Sequence, residues 1–183
     1  YIYRITGNNT WLQRNADIQT KTQELFVQYA WQLAMRDCEL RGLKAVDLGG
    51  AIDPREGCIT LDTQDADIVC DLNQGIPLAD NSVGLLNASH VLEHLRDPIK
   101  IMSEIHRVLA PGGWAFIEVP STDGRGAFQD PTHVNFITEN TFTRYFDNQY
   151  CWAKKLGYGF NGSFQIEKQY WNEANLVTVM RKV

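Results

Sequence analysis

No run of apolar residues in this 183-residue chain approaches the roughly 20 that a bilayer span requires, so no membrane-spanning segment is expected. Excess positive charge is missing as well. With 17 basic and 22 acidic residues the net charge is -5, which is not the balance of a dedicated nucleic-acid binder. None of Cys38, Cys58, Cys70 and Cys151 forms a Cys-x-x-Cys pair. The opening Tyr1-Ile2-Tyr3-Arg4 lacks a signal-peptide layout, so reduced thiols and a cytoplasmic location are expected. In that setting the sequons at Asn8, Asn87 and Asn161 carry no meaning. Internal repeats and low-complexity tracts are also absent. What is present is ordinary globular composition, 44% hydrophobic and 21% charged, at a length that suits one domain. We expect a single domain over 1–183, with a helical segment over 1–42 and an α/β core over 43–183.

After a polar, irregular first dozen residues, helical spacing runs from about Asp17 to Leu40. Leu25, Phe26, Tyr29, Ala30, Leu33 and Ala34 form its apolar positions, and Gly42 closes it. Lys44 to Leu48 reads as a short buried strand ended by Gly49-Gly50. Further strands are expected at about Cys58–Leu61, ending in Asp62, at Asp67–Cys70, ending in Asp71, and at Val83–Asn87, running into Ala88-Ser89-His90. Asp97 can cap the next helix and Pro98 suits its first position. The core face of that helix is Ile99, Met102, Ile105, Val108 and Leu109, and Pro111-Gly112-Gly113 should stop it. A strand over Trp114–Val119, a long loop over Ser121–Asn135, a helix over Thr138–Asp147 and a hairpin from Gly162 to Arg181 complete the reading. Alternating strands and helices followed by two adjacent strands predict an α/β fold, a mostly parallel sheet with an antiparallel C-terminal hairpin. The segment Ala51–Gly57 is too short for a full crossover helix between the first two strands.

In such sheets ligands bind beyond the carboxyl ends of the strands. Asp47 with Gly49-Gly50, then Asp62, Asp71, and Asn87 with Ser89 and His90, form an ordered series of polar strand ends. Glycine lets backbone approach a ligand closely, and an acidic residue ending the second strand can accept both hydroxyls of a ribose. The spacing from the glycine turn to Asp62, about 12–15 residues, is shorter than the ~20 of dinucleotide folds.

Taken together, Val46-Asp47-Leu48-Gly49-Gly50-Ala51, Ile59-Thr60-Leu61-Asp62, Asp71-Leu72, Ile76 to Ser82, Ala88 to Leu95 and Arg107 to Gly113 resemble the class I S-adenosylmethionine-dependent methyltransferases, of the small methyltransferase-domain type. The resemblance runs from about Lys44 to Phe142. It implies a Rossmann-like sandwich of seven strands, with S-adenosylmethionine as cofactor and S-adenosylhomocysteine as product. By the same resemblance Asp47, Gly49, Gly50 and Ala51 would face the methionine end of the cofactor. Asp62 would hold the ribose, Asp71 and Leu72 would line the adenine, and Ala88, Ser89 and His90 would approach the sulfonium. Ala51 stands where the family often has a further glycine.

The expected activity is methyl transfer to a small-molecule or glycan-like acceptor, a reaction that requires no metal or covalent intermediate. For an acceptor hydroxyl, His133 is the first candidate base, with Asp130 to orient it, and His90 is the rival. Both His133 and Asp130 belong to the Thr122–His133 loop after the fifth strand. Nucleic acid is an unlikely partner on charge and for want of an Asn/Asp-Pro-Pro-Tyr/Phe motif. Two alternatives remain. One is a cofactor-binding fold without turnover. The other is a zinc hydrolase through His90/Glu93/His94, which fit H-x-x-E-H, with Glu104 or Glu118 as third ligand. His106, inside a helix, is read as a surface or partly buried residue.

Overall fold

The computed structural model describes residues 10–120, 122 and 126–183. The elements run α1 (Thr10–Leu40), β1 (Lys44–Leu48), β2 (Ile59–Asp62), β3 (Ile68–Val69), β4 (Val83–Ser89), α2 (Pro98–Val108), β5 (Leu109–Pro120), α3 (Glu139–Tyr145), α4 (Trp152–Lys155), β6 (Phe164–Asn172) and β7 (Asn175–Lys182), with 3₁₀ turns at Leu92–His94 and Gly126–Phe128. Among the described residues the strands form one sheet of order β3-β2-β1-β4-β5-β7-β6. The first five strands in that order are parallel, and β7 is antiparallel to both β5 and β6. This is the expected α/β sandwich with its antiparallel C-terminal hairpin.

The sheet is buried on both faces, so β1 is apolar from Ala45 onward except for Asp47. One face packs under α2, α3 and the aromatic cluster of Phe142, Phe146, Phe160 and Phe164. The other face meets α1. That helix begins at Thr10, seven residues before its expected start, and ends as expected at Leu40, with Gly42 at φ +62° just beyond it. Its buried face differs from the expected one. Ala30, Ala34 and Cys38 are buried and Phe26 is half-buried, whereas Leu25, Tyr29 and Leu33 are exposed. Residues 26, 30, 34 and 38 follow the i, i+4 ridge, and the small side chains let the helix lie close to Ala45, Leu85 and Phe116. Trp31 adds an edge-to-face contact on Phe116, with centroids 5.1 Å apart.

The α2 cap forms as expected: Asp97 Oδ1 accepts from Lys100 N at 2.9 Å, with Pro98 in the first turn. Its buried residues are Ile101, Met102, Ile105 and Val108, and Ile99 lies off the centre of that stripe. Pro111-Gly112-Gly113 does not follow a helix end directly but lies inside β5, which starts at Leu109. Gly112 (φ +73°) and a register shift against β4 absorb the extra residues as a bulge. The four-residue α4 carries too short an apolar pattern to be foreseen. Between β1 and β2 there is no helix, only turns over residues 49–58, so the carboxyl ends of these strands are left open.

His106 sits on α2 against the rings of Phe160 and Phe164, with centroids 5.9 and 5.3 Å away. Its buried Nε2 has no partner among the described residues. Burial first, then the nearby Lys182 ammonium, holds its pKa below the usual histidine value. The unfolded chain therefore takes up this proton near pH 6.5 while the folded chain resists it, so stability should fall as pH drops below about 6.5. Thermal melts between pH 7.5 and 5.5 should show a smaller decline for His106→Phe than for the parent. Equal declines would remove His106 as a cause.

All four cysteines are free thiols. Burial raises the pKa of Cys58 to about 11, which keeps it protonated and unreactive at neutral pH.

Candidate functional site

The carboxyl ends of β4, β1, β2 and β3 open onto two adjoining cavities. The first, about 580 Å³, is lined by Asp47, Gly49, Gly50, Arg55, Ser89 and His90 among others. The second, about 360 Å³, is lined by Asp62, Asp71, Leu72, Val91, His94 and Leu95 among others. Gly49, Ile52 and His90 border both, so the two form one groove across the strand ends, of a size usual for ligand sites. A smaller cavity of about 100 Å³ shares Arg55 and Asn87 with the first and adds Glu118, Tyr170 and Asn172.

Asp47 is 2% exposed, and both of its oxygens are engaged. Oδ1 accepts from Asn87 Nδ2 at 2.6 Å, its neighbour in register on β4, and Oδ2 accepts from Arg55 N at 2.8 Å. Its carboxylate thus ties β1 to β4 and to the 51–57 loop, and it shapes the floor of the groove. Gly50 is required by the same group, because a Cβ there would lie 2.7 Å from Asp47 Oδ2. Gly49 has φ +74°, and a Cβ on it would come within 2.5 Å of Val91 Cγ2.

Asp62 ends β2 facing the groove. Its Oδ1 accepts from Thr63 N at 2.6 Å, and Oδ2 holds only a long contact from Ala51 N at 3.3 Å. A carboxylate oxygen accepts more than one donor, so this end keeps capacity for hydroxyl groups. Asp71 lines the same cavity, and hydrogen bonds from Asn73 hold its pKa below the usual carboxylate value. Leu72 supplies a buried apolar wall. Ala88 is fully buried in the core beneath the groove and lines neither cavity, whereas Ser89 and His90 do face it.

His90 follows β4 in a left-handed backbone, φ +56°, a conformation that non-glycine residues hold only when their surroundings enforce it. Its N–H donates to Glu118 O at 2.9 Å. Nδ1 lies 3.2 Å from Glu93 Oε1, and that carboxylate, itself 1% exposed, raises the His90 pKa above the usual value. Nδ1 therefore carries the proton, and Nε2 accepts from Asn175 Nδ2 at 3.3 Å. Asn175 also donates to Glu118 Oε1, which takes a second bond from Asn172, so a polar chain runs from His90 to the hairpin. The sequence pattern does not point to Asn172 or Asn175, and it offers Glu118 only as a metal ligand, because the three meet only through the β5–β7 and β6–β7 pairings.

His133 lines none of the three cavities. Its Nδ1 donates to Ala127 O at 3.0 Å, and its Nε2 is 3.9 Å from Asp130 Oδ2, beyond hydrogen-bond range. Asp130 instead accepts from Thr132 through both N and Oγ1, which lowers its pKa. Ser121 and Asp123-Gly124-Arg125, from the loop region singled out in the sequence, lie outside the described residues. The zinc-hydrolase arrangement does not form. His90 lies outside the 3₁₀ turn Leu92–His94 and no helix aligns it with His94. Glu104 is bound by Arg107 and Ile76 N, and Glu118 by Asn172 and Asn175.

Residues 50–117 match a family described as a methyltransferase domain. Similar solved structures include an S-adenosylmethionine-dependent methyltransferase from Archaeoglobus fulgidus, at 13% identity and TM-score 0.54, covering 95% of this chain and 100% of that one. The chain shares the fold of these methyltransferases. An S-adenosylmethionine-dependent methyltransferase from Mesorhizobium loti is similar at 15% identity and TM-score 0.53, over 76% of this chain and 90% of that one. A third, a possible histamine N-methyltransferase from Thermotoga maritima, has 12% identity and TM-score 0.52 over 89% of this chain and 94% of that one. No curated protein matches the chain. The matched stretch of the methyltransferase domain starts at Gly50 and ends in β5, so it contains Asp62, Asp71 and His90 but not His133.

Proposed function

We propose that the protein transfers the methyl group of S-adenosylmethionine to a hydroxyl of a small-molecule or glycan-like acceptor, with His90 as the group that receives the acceptor proton. When bound, the cofactor supplies an activated methyl on its sulfonium. Asp62 takes the ribose hydroxyls in charge-assisted hydrogen bonds, and Asp71 and Leu72 hold the adenine end. Gly49, Gly50 and Ala51, on the floor set by Asp47, carry the methionine end. The observation that carries the reading is His90 at the junction of the two cavities, with Nδ1–H spent on buried Glu93 and the Nε2 lone pair held only by a long 3.3 Å contact from Asn175 Nδ2 that an acceptor hydroxyl can displace.

His90 is preferred to His133 because it borders the groove, and Asp130 then has no orienting role. Arg55, Glu118, Tyr170 and Asn172 around the adjoining small cavity offer the mix of charge, amide and phenol that suits a polyhydroxylated acceptor. Alignment of acceptor, methyl and sulfur by these walls can contribute roughly 7–11 kcal/mol to lowering the barrier. The test is an acceptor screen of sugars, nucleotide sugars and small phenols and amines that reads S-adenosylhomocysteine release. Turnover on a hydroxylated acceptor supports the reading. Binding of the cofactor with no turnover on any class would favour a non-catalytic fold.

A further inference from the structure

We propose that Glu93, His94 and His133 form a binding site for a divalent first-row transition cation at the edge of the cofactor groove. One ligand atom from each of the three residues lies within 4.8 Å of the others. The two imidazoles stand edge to face with centroids 4.8 Å apart. They come from separate segments, the 3₁₀ turn after β4 and the loop after β5. Backbone bonds clamp those segments together: Val134 N and Asn135 N donate to Glu93 O at 2.8 and 3.1 Å, and Asn135 Nδ2 donates to Leu92 O and Leu95 O.

The protons of this cluster are accounted for, and they leave only acceptors. His133 Nδ1 faces the carbonyl of Ala127, which cannot donate, so Nδ1 holds the proton and Nε2 a lone pair. Thr132 Oγ1 gives its single hydrogen to Asp130 Oδ1 at 2.7 Å. Its 3.0 Å contact with His94 Nδ1 must then be N–H to O, which in the neutral imidazole places the lone pair on Nε2. Glu93 is 1% exposed; Oε1 is bonded by His90 while Oε2 is buried with no partner among the described residues. A buried carboxylate oxygen left without a partner is costly, and a cation relieves that cost. The bonds from Nδ1 of each imidazole to Ala127 O and Thr132 Oγ1 are the outer contacts that orient metal-bound histidines.

Two imidazoles and one carboxylate suit zinc, iron, cobalt or manganese better than magnesium or calcium, which prefer all-oxygen sets. Bond lengths near 2.1 Å put neighbouring ligand atoms roughly 3–3.5 Å apart, so the trio must close by about an ångström or more around the ion. Three protein ligands leave coordination positions open, and His94 lines the cavity that holds Asp62 and Asp71. An open position beside the groove can hold an acceptor oxygen and lower its pKa as a Lewis acid. That role rests on the proposed methyl transfer, whereas the cation site itself does not.

The test uses untagged protein stripped with a chelator and titrated with Co²⁺, read by visible d–d absorption and by calorimetry. One equivalent should bind with a spectrum typical of nitrogen and oxygen ligands. Affinity should fall at least 10-fold in each of Glu93→Gln, His94→Ala and His133→Ala, and stay unchanged in His106→Ala. Should His133→Ala fold poorly by thermal melt, the exposed His94→Ala decides alone. Absence of stoichiometric binding, or binding unchanged in His94→Ala and Glu93→Gln, would overturn the site. Titration of the stripped protein with S-adenosylmethionine is a separate readout. Cofactor binding without Co²⁺ binding refutes the cation site and leaves the methyltransferase reading intact.

Discussion

Replacing His90 with asparagine should leave S-adenosylmethionine affinity within a few-fold of the parent and lower turnover on an accepted hydroxyl substrate by about 10²–10⁴-fold, the usual contribution of a positioned base. Asparagine is the informative choice because His90 sits at φ +56°, which asparagine tolerates better than alanine. The variant therefore removes the imidazole without forcing the backbone to move. The comparison needs both quantities, cofactor affinity by calorimetry and kcat with the cofactor saturating. Unchanged kcat would remove His90 from proton transfer and leave alignment alone as the source of rate. A loss of cofactor affinity as large as the loss of kcat would make His90 a wall of the cofactor site.

Gly49→Val should be the most damaging single change in the groove. A β-branched residue at φ +74° costs at least about 1–2 kcal/mol in backbone strain. Its Cβ would also meet Val91 Cγ2 at 2.5 Å, and overpacking typically adds about 1–3 kcal/mol. The turn from β1 would then shift away from Val91, which lines the second cavity. We expect a drop in melting temperature of several degrees together with loss of cofactor binding. From sequence, the glycine reads only as room for a ligand; the structure adds a demand from within the protein. Gly49→Val with parental stability and parental affinity would refute both.

Much of the groove was legible because its parts are local. Asp62 and Asp71 each close a short apolar run, and Asp47 stands one residue before the end of β1 and its glycine turn, so each reads as a strand end facing a ligand. What sequence could not convey were choices made by packing between distant segments. The buried face of α1 is one such choice: Leu25, Tyr29 and Leu33 are as apolar as Phe26, but the sheet takes the small-residue ridge of Ala30, Ala34 and Cys38. The bulge at Pro111-Gly112-Gly113 is another, since its residues punctuate a helix equally well until the β4 register is known. Asp47 lines the first cavity, and no spacing shows that its two oxygens also accept from Asn87 and Arg55. His133 meets His94 and Glu93 across 39 and 40 residues of chain, a meeting that no spacing rule anticipates.

The central claim is that S-adenosylmethionine occupies this groove with its ribose on Asp62. Calorimetric titration of the parent and of Asp62→Ala tests it most directly. The parent should bind one equivalent, and Asp62→Ala should bind more weakly by about 1.5–3 kcal/mol, the worth of hydrogen bonds to a charged group, or roughly 10- to 150-fold in Kd. Equal affinity in a folded Asp62→Ala protein, or no binding by the parent, would contradict the account.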